Sequence, residues 1–252
     1  MLEKLPQPAV IAHRGSSAYA PENTLDAFNL AIEQKADAVE LDVRITADHQ
    51  LVVFHDHSVD RITSGSGQIH KLTYQDLAVL EFSSPYGKMF PDARIPLLED
   101  VLASIGNKIP INIELKTSPA FSTALSRLTA NCLKDFLPGP KLILSSFNSF
   151  VLHQIHHLIP DLDLGLLIRR GSYPFWKHTG GLRLLPIKSL HVPCDDLSPS
   201  RIAAVQDLGL KTFAYTVDHP QIIADLTTAN IDGIITNDPP LARRTIDQIC
   251  NS

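Results

Sequence analysis

The chain has 252 residues, 44% of them hydrophobic, so it is long enough for one large domain with a sizeable core or for two small ones. The formal net charge is −5, which excludes the strongly basic surface that nucleic-acid binding requires. The three cysteines, Cys132, Cys194 and Cys250, are widely spaced and odd in number. This favours reduced thiols and a cytoplasmic setting over a disulfide framework.

No apolar run approaches the roughly 20 residues of a membrane-spanning helix, so we expect no membrane partner. The first predicted strand begins by residue 10, and we therefore expect no signal peptide ahead of it. Nothing in the sequence predicts an oligomeric state.

Ionisable residues stand where two apolar, strand-like runs end. The runs are Val10–Ala12 and Ala38–Leu41, and the ionisable residues are His13, Arg14, Glu40 and Asp42. Because residues i and i+2 of a strand point to the same face, Glu40 and Asp42 project side by side, about 7 Å apart. Two carboxylates that close repel each other unless a proton or a cation lies between them. A hard cation such as Mg²⁺, which prefers carboxylate oxygens, would relieve this repulsion.

The next apolar run, Leu51–Phe54, follows too soon to be a parallel neighbour of the second strand, because a parallel crossover needs roughly a dozen residues. We predict a hairpin with a two-residue turn at Asp48 and His49. That turn would pair Asp42 with His55 and return the imidazole to the level of the carboxylates. A slip of one residue would turn His55 away.

Residues 57–95 interrupt the pattern with a loop, a short helix at 73–80 capped by Thr73 with Asp76, and a second loop, so we predict an inserted subdomain or lid. The remaining chain alternates between helix and strand. A helix capped by Asn23 or Thr24 follows the first strand. Further predicted helices are 97–105, 120–135, 149–158, 173–183, 199–208, 220–229 and 239–250, and predicted strands are 109–115, 141–146, 163–168, 188–192, 211–217 and 231–236. Eight strands, almost all followed by helices, predict a single (β/α)₈ TIM barrel over residues 1–252.

In such a barrel the active site lies at the C-terminal ends of the strands. The third barrel strand ends in Glu114 and Lys116, which share one face as Glu40 and Asp42 do. Three carboxylates from two neighbouring strands can form half of an octahedral metal shell. Histidines beside them can act as acid and base, and Arg14 and Lys116 supply positive charge for an anionic group. Together these groups are typical of attack at a phosphorus centre.

These residues also carry a resemblance that extends from about residue 9 to 245. The matching motifs are His13-Arg14-Gly15, Pro21-Glu22-Asn23-Thr24, Glu40-Leu41-Asp42, His55-Asp56, Glu114-Leu115-Lys116, Tyr215-Thr216-Val217 and Asp232-Gly233-Ile234. In this order, with an insertion after His55-Asp56, they resemble the glycerophosphodiester phosphodiesterase family. The resemblance implies a (β/α)₈ barrel, a divalent metal, usually Mg²⁺ or Ca²⁺, and hydrolysis of glycerophosphodiesters to an alcohol and glycerol 3-phosphate. The compact, signal-less form of the chain resembles the cytoplasmic branch of the family.

By matching motif positions, the resemblance also implies roles for individual residues. Metal ligands would be Glu40, Asp42 and Glu114, the acid/base pair would be His13 and His55, and phosphate ligands would be Arg14 and Lys116. The chain departs from the family pattern at Asp218, where asparagine is common. We interpret Asp218 as the N-cap of the helix that begins near Pro220.

The residues leave three alternatives to this function. One is a carbon-acid lyase on a metal-dependent barrel, for which Lys116 would have to serve as the base. Another is a cyclising phospholipase-type phosphodiesterase, and the third is a non-catalytic barrel that binds a phosphorylated ligand. The preferred headgroup, the division of roles between the two histidines, and the choice between water and the substrate's 2-hydroxyl as nucleophile also stay open.

Overall fold

The computed structural model describes residues 2–83, 88–117, 122–172, 182 and 185–251. Eight parallel strands form a closed barrel, because β1 pairs with both β2 and β9. The barrel strands are β1 (Ala9–His13), β2 (Ala38–Ile45), β4 (Ile111–Leu115), β5 (Leu142–Ser146), β6 (Asp163–Leu167), β7 (Ser189–Pro193), β8 (Lys211–Tyr215) and β9 (Gly233–Thr236), and β3 (Leu51–Val53) pairs antiparallel with β2. The predicted TIM barrel is confirmed.

Helices follow the strands and cover the outside of the barrel. They are α1 (Leu25–Glu33), α2 (Tyr74–Ala78), α3 (Leu98–Ile105), α4 (Ser122–Phe136), α5 (Ser149–Leu158), α6 (Pro199–Gln206), α7 (Pro220–Thr228) and α8 (Pro239–Cys250). These bounds agree with the predicted helices to within a few residues. The helix predicted at 173–183 lies outside the described residues, apart from residue 182. Among the described residues, no helix combines the length and the apolar composition needed to cross a bilayer.

The barrel interior changes character along its axis. Towards the N-terminal ends of the strands it is filled by apolar side chains, among them Ile11, Ile143, Phe213 and Ile235, each almost fully buried. Burying a side chain of this size is worth about 1.5–3 kcal/mol. Towards the C-terminal ends, the inward positions are ionisable or polar instead. The apolar half therefore fixes the barrel, and the polar half is free to form a site.

The hairpin differs from its prediction by one residue. Val43 lies opposite Val53, so Asp42 lies opposite Phe54 and not opposite His55. Thr46 pairs with Gln50, which leaves a three-residue loop instead of the predicted two-residue turn. The loop closes because His49 adopts a left-handed φ of 62°, as three-residue hairpin loops require at one position.

The described residues of the segment 57–95 pack against this hairpin. Their apolar side chains form a small cluster with two residues of the hairpin arm: Val52, Phe54, Val59, Ile62, Ile69, Leu77, Phe82, Ala93 and Ile95. Helix α2 begins with the predicted capping box, in which Thr73 and Asp76 bond each other's backbone N–H groups. Residues 84–87, including Tyr86, lie outside the described part of the chain. The segment is thus anchored beside the strand that leads to His55.

Candidate active site

Three carboxylates from two neighbouring strands meet at the C-terminal end of the barrel. Glu40 and Asp42 project from β2 and Glu114 from β4, and the register of the two strands places Asp42 opposite Glu114. One oxygen of each carboxylate lies within 4.8 Å of the others, and all three residues are buried. This is the convergence that the sequence predicts.

Two cations lie among these carboxylates. Lys116 Nζ is 3.0 Å from Asp42 Oδ1 and 2.5 Å from Glu114 Oε1, and Arg14 Nε is 3.3 Å from Asp42 Oδ2. Although burial alone would raise the pKa of Asp42, Lys116 and Arg14 hold it below its usual value. Burial, followed by repulsion from the other two carboxylates, raises the pKa of Glu40 well above its usual value, and burial raises that of Glu114 to about 7. The cluster is therefore short of positive charge.

A tight turn after β1 holds Arg14 over the cluster. Arg14 and Gly15 have φ values of 58° and 79°, both in the left-handed region. A Cβ on Gly15 would lie 2.6 Å from the carbonyl carbon of Ala27, so only glycine allows α1 to approach the turn this closely. The backbone N–H of Arg14 donates to Glu40 Oε2 (3.0 Å), and its Nη1 donates to Glu22 Oε1 (2.9 Å).

His13, the last residue of β1, contacts a residue that follows β9. Its Nδ1 lies 2.7 Å from Asn237 Oδ1. Burial, followed by the positive charge of Arg14, lowers the pKa of His13 to about 4. The imidazole is therefore neutral at about pH 7.

His55 reaches the same cavity although its predicted strand pairing is wrong. β3 ends at Val53, and beyond it Arg44 Nε and Nη2 donate to the His55 carbonyl oxygen at 2.7 and 2.5 Å. Nδ1 of His55 lies 2.6 Å from Asp56 Oδ1. Burial lowers the pKa of His55, and the negative charge of Asp42 offsets only part of this shift. The irregular backbone after the strand, and not the hairpin register, directs this imidazole to the carboxylates.

A chain of ion pairs connects the two sides of the site. Arg61 Nε lies 2.5 Å from Asp56 Oδ2, and Arg61 Nη2 lies 2.6 Å from Glu22 Oε1. Glu22 in turn accepts from Arg14, and Asp56 contacts His55. Arg61, in the segment 57–95, therefore orients one ion-pair partner of Arg14 and one of His55.

Asp218 does not cap the helix that follows it, so that interpretation is wrong. The N-cap of α7 is His219, whose side chain accepts from the Gln221 N–H. The Asp218 carboxylate faces the neighbouring strand end instead. Oδ1 accepts from Thr236 Oγ1 (2.9 Å) and from the Asn237 backbone N–H (2.8 Å), and Oδ2 accepts from Asn237 Nδ2 (2.5 Å).

Two adjoining cavities open at this end of the barrel. The inner one, of about 170 Å³, is lined by His13, Arg14, Glu40, His55, Asn112, Glu114, Lys116, Phe147, Leu167, His191, Tyr215, Thr216 and Ile235. Asp42 lies below it, fully buried. The outer one, of about 720 Å³, shares His55, Glu114, Lys116 and Phe147 and extends past Arg44, Ser146, Asn148 and Arg169. All seven predicted site residues thus lie in or directly under one continuous space.

Several residues outside the predicted metal, acid/base and phosphate sets hold this site, and Asn23, which the matching motifs include, is one of them. Asn23 exchanges two hydrogen bonds with Asp42, through its side-chain N–H group (2.8 Å) and through the Asp42 backbone N–H (3.2 Å). Arg44 follows Asp42 by two residues, so strand alternation already indicated that it faces the same side. Asn237 and Arg61 carry no comparable signal, because their contacts join distant parts of the chain.

A closed barrel with carboxylates, imidazoles and cations at its C-terminal rim places the chain among the TIM-barrel enzymes. Residues 13–241 match the glycerophosphoryl diester phosphodiesterase family. A glycerophosphodiester phosphodiesterase of Caldanaerobacter subterraneus subsp. tengcongensis is 36% identical over 231 residues, which cover 91% of this chain and 94% of that protein. The chain therefore belongs to the glycerophosphoryl diester phosphodiesterase family.

Solved structures agree with this assignment. An Oleispira antarctica phosphodiesterase in complex with the product sn-glycerol-3-phosphate superposes with a TM-score of 0.84 at 29% identity, covering 96% of this chain and 97% of that chain. A glycerophosphodiester phosphodiesterase from Thermotoga maritima gives a TM-score of 0.73 at 28% identity, covering 95% and 98%.

Proposed function

We propose that this enzyme hydrolyses glycerophosphodiesters, the deacylated forms of phospholipids, to an alcohol and glycerol 3-phosphate, with a divalent metal and two histidines. The observation that supports the proposal most directly is the inner cavity, where Glu40, Glu114, the two predicted catalytic imidazoles and two cations form part of the lining and the third carboxylate, Asp42, lies beneath it. Family membership and the product bound to the Oleispira antarctica relative support the substrate class.

Glu40, Asp42 and Glu114 fit a divalent cation. Their oxygens converge within 4.8 Å, the pKa values of Glu40 and Glu114 are raised, and Glu40 Oε1 has no hydrogen-bond partner among the described residues. Oxygen-only ligands suit Mg²⁺ or Ca²⁺. A cation held there would supply positive charge that polarises the phosphate and stabilises the charge that develops on it.

Arg14 and Lys116 would bind the same phosphate from the protein side. Both cations lie at the base of the inner cavity and remain partly accessible, since each side chain is about 15% exposed. Their carboxylate partners hold them in place before substrate arrives, so their orientation costs little when the phosphate binds. Positive charge fixed at this point favours the transition state, in which negative charge builds on the phosphate oxygens.

His13 and His55 would move the protons. Each uses Nδ1 for a fixed partner, Asn237 for His13 and Asp56 for His55, which leaves Nε2 for exchange with the substrate. One imidazole takes a proton from the nucleophile, and the other gives a proton to the oxygen of the leaving alcohol. The nucleophile is either water or the substrate's glycerol 2-hydroxyl, in which case a cyclic phosphate forms first.

The decisive experiment measures glycerol 3-phosphate released from several glycerophosphodiesters, with and without EDTA and with Mg²⁺ or Ca²⁺ added back. We expect release that EDTA abolishes and one of the two metals restores. His13→Ala and His55→Ala should each lower kcat by about 10²-fold or more while Mg²⁺ or Ca²⁺ still binds. Exposed His153→Ala on α5 is the matched control and should keep wild-type kcat. Near-wild-type kcat in either site variant at saturating metal would remove the proposed role of that histidine.

Detection of a cyclic glycerophosphate would decide between the two nucleophiles. Phosphodiesterase activity itself separates the proposal from its rivals. A lyase would bind metal without releasing glycerol 3-phosphate, and a non-catalytic barrel would bind the phosphodiester without turning it over. Lys116 fits a lyase base poorly: burial lowers its pKa, but Asp42 and Glu114 outweigh burial and raise it, whereas a base needs a lowered value.

Three further statements stay predictions. They are the single domain over 1–252 with 57–95 as a lid, the cytoplasmic location inferred from the cysteines, and the absence of a nucleic-acid partner. The pairing of Arg61 with Glu22 and Asp56 supports the lid, because it connects the segment to both sides of the site.

A further inference from the structure

Asp218 lies beside the site, and its carboxylate lines neither of the two cavities. Every contact it makes in the described chain is to a donor on the strand end that carries Asn237. Its contacts show which group it controls.

The Asp218 carboxylate can only accept hydrogen bonds. The side-chain atom of Asn237 that faces it at 2.5 Å must therefore be the amide nitrogen. This leaves the amide oxygen of Asn237 to face His13 Nδ1, at 2.7 Å. In an isolated asparagine the two orientations are hard to tell apart, but here the carboxylate decides between them.

An amide oxygen cannot donate, so the contact is a hydrogen bond only if His13 Nδ1 carries the proton. Ser17 Oγ lies 2.9 Å from the same oxygen and 2.8 Å from the His13 carbonyl oxygen, and its one proton can be donated to either of these acceptors. The neutral imidazole then has its lone pair at Nε2. Asp218 thus sets the orientation of the Asn237 amide, and that amide sets the tautomer of His13.

We propose that Asp218 is a positioning residue that fixes the tautomer of His13 and so prepares its Nε2 as a proton acceptor. The proposal rests on the proposed role of His13 in phosphodiester hydrolysis. Asp218 touches neither substrate nor metal in this scheme, and it acts only through the amide of Asn237.

The substitution Asp218→Asn tests the relay because it exchanges one acceptor for a donor without changing size. Oxygen must stay at the Oδ1 position, which accepts the Asn237 backbone N–H, so the new amide nitrogen replaces Oδ2. Two amide nitrogens would then face each other, and Asn237 would turn its amide over. The nitrogen of Asn237 would face His13, and the imidazole would have to move its proton to Nε2.

Long-range ¹H–¹⁵N NMR spectra of the imidazoles read the tautomer directly. The chain has 11 histidines, and the His13→Gln variant identifies the resonances of His13. We expect Nδ1–H in the wild-type protein and a shift to Nε2–H in Asp218→Asn. We also expect kcat to fall about tenfold or more with little change in KM, because the base is lost and substrate contacts are not.

The double variant Asp218→Asn/Asn237→Asp returns an acceptor to the side of His13 and a donor to position 218. It should restore Nδ1–H and recover kcat at least severalfold over the single variant. Asp225→Asn, on the exposed face of α7, is the matched control and should change neither the tautomer nor kcat.

Nε2–H in the wild-type protein would overturn the proposal even if every variant failed to fold. So would a loss of kcat in Asp218→Asn with the tautomer unchanged, or a changed tautomer with wild-type kcat. Absence of phosphodiesterase activity in the wild-type enzyme would instead contradict the proposed function, while the NMR spectra would still decide whether the relay exists.

Discussion

At the scale of single residues, the barrel interior shows what burial demands of an ionisable side chain. His191 on β7 is buried in the lining of the inner cavity, and burial lowers its pKa to about 3. Its Nε2 lies 3.1 Å from Ser189 Oγ, and its ring packs edge-on against Phe213 at 5.1 Å. Among the described residues, no carboxylate offsets this effect of burial on the pKa of His191. The side chain is therefore held neutral, in contrast to the paired charges above it.

This burial predicts how stability depends on pH. In the unfolded chain His191 takes up a proton below about pH 6.5, whereas in the folded protein it does so only near pH 3. The free energy of unfolding should therefore fall as pH drops below about 6.5, by up to about 1.4 kcal/mol per pH unit. Urea unfolding of wild type and His191→Gln between about pH 7.5 and about pH 5 measures this dependence.

The wild-type curve should be steeper than that of His191→Gln in this range. His153→Gln, at an exposed position of α5, is the control and should follow the wild-type slope. Parallel curves for wild type and His191→Gln would show that His191 is not held neutral by the fold.

At the scale of elements, the hairpin of β2 and β3 shows how one backbone angle sets a register. His49 has a left-handed φ of 62°, which lets Thr46 pair with Gln50 across a three-residue loop. Thr46 Oγ1 also accepts the Gln50 N–H (2.8 Å), which favours this loop over the predicted two-residue turn. The pattern of apolar residues does not distinguish the two-residue turn from the three-residue loop, because the same apolar residues of β2 and β3 lie in the hairpin in both registers.

The left-handed angle predicts that glycine at position 49 is more stable than histidine. A side chain with a Cβ in this conformation costs about 1 kcal/mol, and glycine avoids most of that cost. His49→Gly should therefore raise the free energy of unfolding by up to about 1 kcal/mol. His49→Ala, which keeps the Cβ, is the control and should not raise it. A lower free energy of unfolding for His49→Gly than for the wild type, measured in urea, would contradict the inferred backbone strain at position 49.

At the scale of the whole molecule, the packing between two neighbouring barrel strands requires a small residue beside a large one. Gly165 on β6 lies where a Cβ would be 2.6 Å from His191 Nε2 and 2.7 Å from Ser189 Oγ. These residues come from neighbouring strands, β6 and β7, that pair with Gly165 opposite Ser189. The glycine therefore provides the space that the buried imidazole occupies, and the polar floor of the site depends on it.

Gly165→Ala should lower the free energy of unfolding by about 1–3 kcal/mol, because the added methyl group forces the imidazole out of place. A double-mutant cycle with His191→Ala separates this clash from other effects. The double variant should lose less stability than the sum of the single variants, since the imidazole is no longer there to clash. Additive losses would mean that Gly165 and His191 are not packed against each other.

The sequence by itself determined the barrel and the residues that its rim brings together. Strand–helix alternation requires a parallel sheet, and parallel strands end at one side, so Glu40, Asp42 and Glu114 had to converge once their strands were recognised. The spacing of two residues between Glu40 and Asp42 placed both on the same face of their strand. These conclusions need only local periodicity and one rule of topology.

Tertiary structure decided the hydrogen-bond partners of that site. His13 and Asn237 meet across 224 residues of chain, and Arg61 reaches Glu22 from a segment with no repeating pattern. The register of the hairpin and the true partners of Asp218 depend on loop angles and on distances of a few ångströms. No local pattern encodes such distances, because they are set only when the barrel closes and brings the first strand beside the last.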